Sequence, residues 1–194
     1  MLKICDYGMS SGLDYFITKG CSYPEFVDRT PKNRERLAKV YSEVSVPKDL
    51  ESQIRDIHSH IRLLVFAENW CSDTVLTLPI LFRLSEISDY VDLTVIPRDD
   101  VIEEFKKNYL TNGKAKIPVV LFLIDKTEEI NRWIERTKFV DQEVKKIKSL
   151  DLKKSESYRS VVEFYMSKGT IENTTKVLAC ELIKTDIIAR STMK

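Results

Sequence analysis

The alternation of apolar and polar positions divides the chain into three parts. Up to about residue 60, apolar residues recur at helical spacing, whereas residues 61–150 contain apolar runs of strand length separated by helical segments. Helical spacing returns in residues 151–194. We therefore predict a core at 61–150, an N-terminal helical extension at 1–60, and a C-terminal helical extension at 151–194 that packs on the core.

One helix of the N-terminal part has a recognisable start. Thr30 is a favourable cap residue, and Pro31 after it suits the first helical position. Leu37, Val40 and Val44 then follow at helical spacing. These features predict a helix from Pro31 to about Val44.

The core part alternates between strands and helices. The pattern predicts strands at 61–67, 91–96, 119–124 and 130–134, with helices at 72–88 and 101–109. Pro79 lies within the first of these helices and is expected to kink it, because proline removes one helical hydrogen bond. Strands joined by helices and followed by an antiparallel hairpin indicate an α/β fold, with a central mixed sheet flanked by helices.

The composition argues against several classes of protein. The chain has 31 Lys and Arg against 30 Asp and Glu, so its charge gives no reason to expect binding to nucleic acid or an anionic membrane. No segment approaches the roughly 18 to 20 apolar residues that span a bilayer. The first residues also lack the apolar block of a signal peptide. We therefore expect a cytoplasmic protein without nucleic-acid or membrane partners.

The cysteines and histidines do not form a recognisable metal site. The chain contains four widely separated cysteines, namely Cys5, Cys21, Cys71 and Cys180. They lack zinc-type spacing, and we expect reduced thiols rather than a disulfide framework. His58 and His60 could face the same way on a strand, but no third ligand is placed near them. We therefore assign neither a metal nor a cofactor.

The segment Trp70-Cys71-Ser72-Asp73-Thr74 is the main candidate for chemistry. It follows the apolar run of the first predicted strand, so Cys71 is expected at the start of a helix. Unsatisfied N–H groups and the helix dipole favour a thiolate there. Asp73 acts in the opposite sense, because a nearby carboxylate disfavours a second negative charge. We expect a modestly activated, exposed thiol; the alternative is a buried structural cysteine.

Ile117 and Pro118, directly before the third strand, form a second candidate segment. Proline has no N–H and is tolerated as the first residue of a strand. The distance along the chain from Cys71 to Pro118 leaves room for a helix, a strand and a second helix between them. The two segments can therefore lie at the same end of one sheet.

Taken together, the Trp-Cys-Ser-Asp sequence and the Ile-Pro pair resemble the thioredoxin superfamily. The chain also resembles one bacterial branch of thioredoxin-like proteins, whose members keep one motif cysteine and carry helical extensions. The residues that carry this resemblance are Glu68-Asn69, Pro97-Arg98-Asp99 and Tyr109-Leu110-Thr111-Asn112-Gly113. The resemblance implies a thioredoxin-like fold, with Cys71 as the active-site thiol beside a cis peptide bond at Pro118. It further implies a partner groove bordered by Trp70, Ser72, Asp73, Ile117 and Pro118.

The chain departs from classical thioredoxin at three positions. Thr74 replaces the resolving cysteine, Asp73 replaces the usual proline, and Val65 occupies the place of a buried acid. A lone thiolate can still form a mixed disulfide, but another thiol must then resolve it. Cys5, Cys21 or Cys180 could serve only if the fold brings one of them close. Thr74, one helical turn from the cysteine, is expected to donate a hydrogen bond to its sulfur.

Arg98, Asp99 and Asp100 follow the second predicted strand, near the end of the sheet where the thiol is expected. We interpret Asp99 or Asp100 as the cap of the next helix. The alternative is a polar contact with the thiol site.

Three functional hypotheses remain. The first is a thioredoxin-like protein, a single-cysteine thiol–disulfide oxidoreductase whose Cys71 forms mixed disulfides with a protein or low-molecular-weight thiol partner. The second is a redox-inactive binding module that uses its groove or added helices to hold a partner. The third, a monothiol glutaredoxin-like protein, comes last, because the Thr-Val-Pro and Gly-Gly sequences that bind glutathione in that family are not seen here.

Overall fold

The computed structural model describes residues 11–29, 31–124 and 128–192. Its centre is a four-stranded sheet in the order β2-β1-β3-β4. The strands are β1 (Ile61–Ala67), β2 (Val91–Pro97), β3 (Val119–Ile124) and β4 (Glu128–Ile134). β1 runs parallel to β2 and antiparallel to β3, and β3 runs antiparallel to β4. The sheet is therefore mixed, and its two central strands are β1 and β3.

Helices precede, interrupt and follow the sheet. The four that precede it are α1 (Ser11–Thr18), α2 (Tyr23–Asp28), α3 (Arg34–Glu43) and α4 (Lys48–Arg55). Those between strands are α5 (Ser72–Ser85) and α6 (Ile102–Asn108), the latter after a 3₁₀ turn at Arg98–Val101. The last three are α7 (Lys138–Ser149), α8 (Lys154–Tyr165) and α9 (Lys168–Thr192). In the described residues, no helix is both long enough and apolar enough to cross a membrane.

β3 is buried throughout and β1 is buried except at Arg62, which explains the nearly continuous apolar sequences of the two central strands. Successive side chains of a strand point to opposite faces, so β1 contributes to two apolar clusters. Leu63 and Val65 pack with residues of α3, α5 and α9, whereas Leu64 and Phe66 pack with residues of α1 and α6. Helices from both ends of the chain therefore share the core of the sheet.

The start of α3 differs from the sequence prediction. The helix begins at Arg34 rather than Pro31, and Thr30, the predicted cap, lies outside the described residues. Asn33 precedes the helix in a left-handed conformation, with φ 60°. Its side-chain Nδ2 donates a hydrogen bond of 2.7 Å to the carbonyl of Asn69. This contact between distant segments fixes where α3 begins, and it lies beside the loop that carries the candidate thiol.

Candidate functional site

Cys71 lies at the junction between the central strand β1 and helix α5. Its backbone N–H donates to the carbonyl of Glu68 at 3.1 Å, which closes a tight turn after the strand. Its carbonyl accepts the first helical hydrogen bond, from Val75 at 3.0 Å. Cys71 is therefore the N-terminal cap residue of α5, and its side chain is half-buried.

The start of β3 lies beside this thiol. β1 and β3 are antiparallel, with Phe66 opposite Val119, so the residues before β3 adjoin those after β1. The Cys71 sulfhydryl donates to the carbonyl of Ile117 at an Sγ–O distance of 3.6 Å. The Ile117–Pro118 peptide bond is cis, and both side chains are buried. Ile117 thus meets the thiol through its backbone carbonyl.

Trp70 lies next to the thiol, and its side chain is exposed. Its side chain is 45% exposed, and the guanidinium of Arg98 lies 5.3 Å from the ring centre. The indole N–H donates to Asp99 Oδ2 at 3.4 Å, and the backbone N–H of Asp99 donates to Glu68 Oε1 at 2.7 Å. These contacts hold the segment after β2 against the loop of the candidate site.

The interpretation of Asp99 or Asp100 as a helix cap is wrong. The residue at the cap of α6 is Val101, and no side chain caps that helix. Asp100 instead forms an ion pair of 2.7 Å with Arg29 of the N-terminal part. Both carboxylates connect separate segments of the chain around the site, and such tertiary contacts prevail over local capping preferences.

Asp73 is buried and held by two groups from beyond the sheet. The Tyr165 hydroxyl donates to Asp73 Oδ1 at 2.6 Å, and Arg136 Nη2 lies 3.0 Å from Asp73 Oδ2. Burial raises the pKa of Asp73 above its usual range, and Arg136 and Tyr165 oppose this effect. The carboxylate therefore ties α5 to α8 and to the end of β4. No sequence pattern indicated Arg136 or Tyr165 as a partner of Asp73.

The pKa of Cys71 is raised above the ordinary value of a thiol. Burial is the largest cause, and the negative charge of Asp73 adds to it. The backbone N–H groups of Thr74 and Asp73 act in the opposite direction, as expected at a helix N-terminus, but they do not prevail. The expectation of modest activation is therefore wrong, because it did not include the desolvation of the sulfur.

Thr74 is fully buried one turn along α5 from the cysteine. Its hydroxyl oxygen has no hydrogen-bond partner among the described residues. The same hydroxyl lowers the pKa of Cys71 by hydrogen bonding, although it is the smallest of the three opposing influences. A thiolate at Cys71 thus offers this hydroxyl an acceptor.

A groove opens beside Cys71 on the side of the C-terminal helices. Its volume is about 590 Å³. The groove is lined by residues at the start of α5, by Arg136 after β4, and by α7, α8 and the loop between these two helices. The residues are Trp70, Cys71, Ser72, Asp73, Arg136, Val144, Lys148, Leu152, Lys154, Ser157, Tyr158, Val161 and Tyr165. Ile117 and Pro118 are not among them, so the predicted border residues divide between two sides of the thiol.

The other described cysteines lie away from this groove. Cys21, Cys71 and Cys180 are free thiols, and Cys5 lies outside the described residues. Cys21 forms a β-bridge with Val95 on β2, whereas Cys71 contacts Ile117 on the β3 side of β1. A disulfide needs Cα atoms within about 7 Å, and the width of the sheet separates this pair. Cys180 is exposed on α9, which contributes no residue to the groove.

His58 and His60 lie outside the groove. His58 Nε2 lies 3.5 Å from Asp56 Oδ1, and the ring of His60 packs against Tyr90. Across the described ranges, no cluster of three or more His, Cys, Asp or Glu side chains could hold a metal ion.

Comparison with known proteins identifies the family. The chain resembles the crystal structure of a Pseudomonas aeruginosa protein of unknown function, with a TM-score of 0.63 and 18% identity, covering 84% of this chain and 94% of that one. It also resembles an HIV epitope-scaffold, with a TM-score of 0.54 and 18% identity, covering 84% of this chain and 96% of that one. No curated protein matches. At this identity both structures support the fold alone. A family model described as thioredoxin matches residues 20–149, and the chain therefore belongs to the thioredoxin family.

Proposed function

We propose that Cys71 is a single active-site thiol that forms mixed disulfides with a low-molecular-weight or protein thiol partner. The observation that carries the proposal is a half-buried sulfur at the N-terminus of α5 that borders an open groove of about 590 Å³. The unpartnered hydroxyl of Thr74 supports it, because that group gains an acceptor when the thiolate forms.

The proposed step is thiol–disulfide exchange. The Cys71 thiolate attacks one sulfur of a partner disulfide, forming a bond to that sulfur. The second sulfur leaves with the electron pair of the broken bond and takes a proton from water. A second molecule of thiol then attacks the partner sulfur of the mixed disulfide and releases Cys71. The thiol consumed in one half of the cycle is returned in the other, so no further oxidant or reductant is required.

The raised pKa of Cys71 has two consequences for this cycle. It reduces the fraction of thiolate at neutral pH, which slows the attack. It also makes the Cys71 thiolate a stronger nucleophile once formed and a poorer leaving group. Thr74 supplies no second thiol, and Cys21 is kept away by the sheet. The mixed disulfide is therefore expected to be long-lived.

The second candidate function is a redox-inactive binding module. The raised pKa of Cys71 favours it, since a neutral thiol is not a nucleophile. The engagement of Asp73 with Tyr165 and Arg136 also favours it, because that contact stabilises the fold without requiring chemistry at the sulfur. On this hypothesis the groove and the exposed side chain of Trp70 bind a partner without forming a covalent bond to it.

Reaction with a small neutral disulfide distinguishes the two functions. Reduced protein would be incubated with bis(2-hydroxyethyl) disulfide at several pH values, and adducts assigned by peptide mass spectrometry. We expect an adduct at Cys71 that forms faster as pH rises and is absent from Cys71→Ser. Cys180→Ser provides a control, because it removes an exposed thiol outside the groove. If folded protein is modified only at Cys180, the binding module replaces the proposed function.

A further inference from the structure

We propose that the groove beside Cys71 binds anionic disulfides and thiols of low molecular weight, of about tripeptide size and carrying carboxylates. This inference rests on the proposed function and specifies the substrate class of the same site. The ligand would lie between the thiol and the hairpin of α7 and α8, and its carboxylates would face the cationic side chains of the groove.

The charge of the groove is the first argument. Its lining contains three cations, Arg136, Lys148 and Lys154, and one carboxylate, Asp73. That carboxylate is already paired with Arg136 and accepts a hydrogen bond from Tyr165. The groove therefore has an excess of positive charge, although the whole chain carries a formal net charge of only +1.

The lysines of the groove differ from their neighbours on α7. Lys145 and Lys146 form ion pairs with Asp141 and Glu143 of the same helix. Within the described ranges, neither Lys148 nor Lys154 has a salt-bridge partner. These two exposed ammonium groups are available to a ligand, whereas the other two are already neutralised.

Arg136 provides a separate observation. Its side chain is 14% exposed and lines the groove, with Nη2 on Asp73. Its Nε is buried and has no hydrogen-bond partner in the described part of the chain. Buried polar groups are normally hydrogen-bonded, so this Nε is a donor that lacks an acceptor in the described residues. The same guanidinium forms ion pairs with both Asp73 and Glu135, which leaves Lys148 and Lys154 as the cations open to a ligand.

The size and apolar surface of the groove favour a small ligand. A volume of about 590 Å³ lies within the range of small-molecule pockets, roughly 300 to 1,000 Å³. Val144 and Val161 contribute buried apolar surface, and Leu152 and Tyr158 are 39% and 54% exposed. This surface suits the aliphatic part of a small disulfide, while the lysines at its border suit the carboxylates.

The test compares three disulfides of different charge. Oxidised glutathione is anionic, bis(2-hydroxyethyl) disulfide is neutral and cystamine is cationic, and each is used to measure the rate of adduct formation at Cys71. The variant Lys148→Glu/Lys154→Glu reverses the charge of the groove. The control Lys39→Glu/Lys176→Glu makes the same change in net charge at exposed lysines of α3 and α9, outside the groove.

We expect the groove variant to lower the ratio of the glutathione rate to the neutral-disulfide rate by about tenfold or more. The cystamine ratio should rise, and the control should leave both ratios unchanged. Using a ratio removes any general change in the reactivity of Cys71. Equal ratios in the groove and control variants would overturn the inference but leave the proposed function standing. If Cys71 of the wild-type protein reacts with none of the three disulfides, the proposed function itself is wrong.

Discussion

The protonation of Cys71 depends on a balance between desolvation and nearby hydrogen-bond donors. Burial and the Asp73 carboxylate favour the neutral thiol, whereas two backbone N–H groups and the Thr74 hydroxyl favour the thiolate. The sequence suggested the helix N-terminus, the opposing charge of Asp73 and the hydrogen bond from Thr74, because these depend only on local structure. The burial of the sulfur depends on its packing against the apolar cluster that contains Ile117, and Asp73 is covered by Tyr165 of α8. These long-range contacts decide the result.

Asp73→Asn is expected to lower the pKa of Cys71, because it removes a negative charge that raises it. Iodoacetamide alkylation of Cys71 should then proceed faster near neutral pH than in the wild type. Asp89→Asn, at an exposed carboxylate outside the groove, serves as the control and should not change the profile. An unchanged or higher pKa in Asp73→Asn would show that its charge does not reach the sulfur.

Thr74→Val is expected to raise the pKa of Cys71 further, because the hydroxyl that stabilises the thiolate is lost. The free energy of unfolding should stay the same or increase by about 1 kcal/mol, since a buried hydroxyl without a partner is removed. The measurements are the alkylation profile and urea denaturation.

Thr77→Val is the matched control for that substitution. Thr77 is equally buried on α5, but its hydroxyl donates to the carbonyl of Glu135 at 3.4 Å. This control should leave the pKa of Cys71 unchanged and lose about 1 kcal/mol of stability. If both variants shift the thiol profile equally, the hydroxyl of Thr74 has no special role.

At the scale of elements, the site is formed by the end of β1, the start of β3 and the helix α8. Both strands were predictable from their apolar runs, and β3 has the predicted bounds of Val119–Ile124. The antiparallel pairing of β1 and β3 places Ile117 beside Cys71. Local sequence patterns gave wrong predictions where long-range contacts determine the structure, as for the first residue of α3 and for the role of Asp99. Tyr165 reaches Asp73 across 92 residues of sequence, and no spacing rule indicates that partner.

Tyr165→Phe is expected to destabilise the protein, because the buried hydroxyl donates to a carboxylate. The loss in free energy of unfolding should be about 1.5 to 3 kcal/mol, measured by urea denaturation. Tyr158→Phe on the same helix is the control, since Tyr158 is 54% exposed and should have almost no effect. Equal stability of the two variants would contradict the anchoring of α8 through Asp73.

At the scale of the whole molecule, one of the two apolar clusters joins the sheet to helices that precede it and to helices that follow it. The C-terminal helices do more than cover the sheet, because α7 and α8 supply most of the groove beside the thiol. The near-neutral composition gave no sign of the cations gathered there. Lys148, Lys154 and Arg136 line one groove only after the chain has folded, so a count of charges along the sequence could not reveal this surface.

The pH dependence of iodoacetamide alkylation at each cysteine of the folded wild-type protein distinguishes a reactive Cys71 from a structural one. An unperturbed thiol titrates near about 8.5. Cys71 is expected to react in the folded state, with a rate that continues to rise above this pH, while exposed Cys180 serves as the internal reference. If Cys71 stays unmodified at every pH until denaturant is added, it is a structural cysteine and the proposed thiol chemistry is wrong.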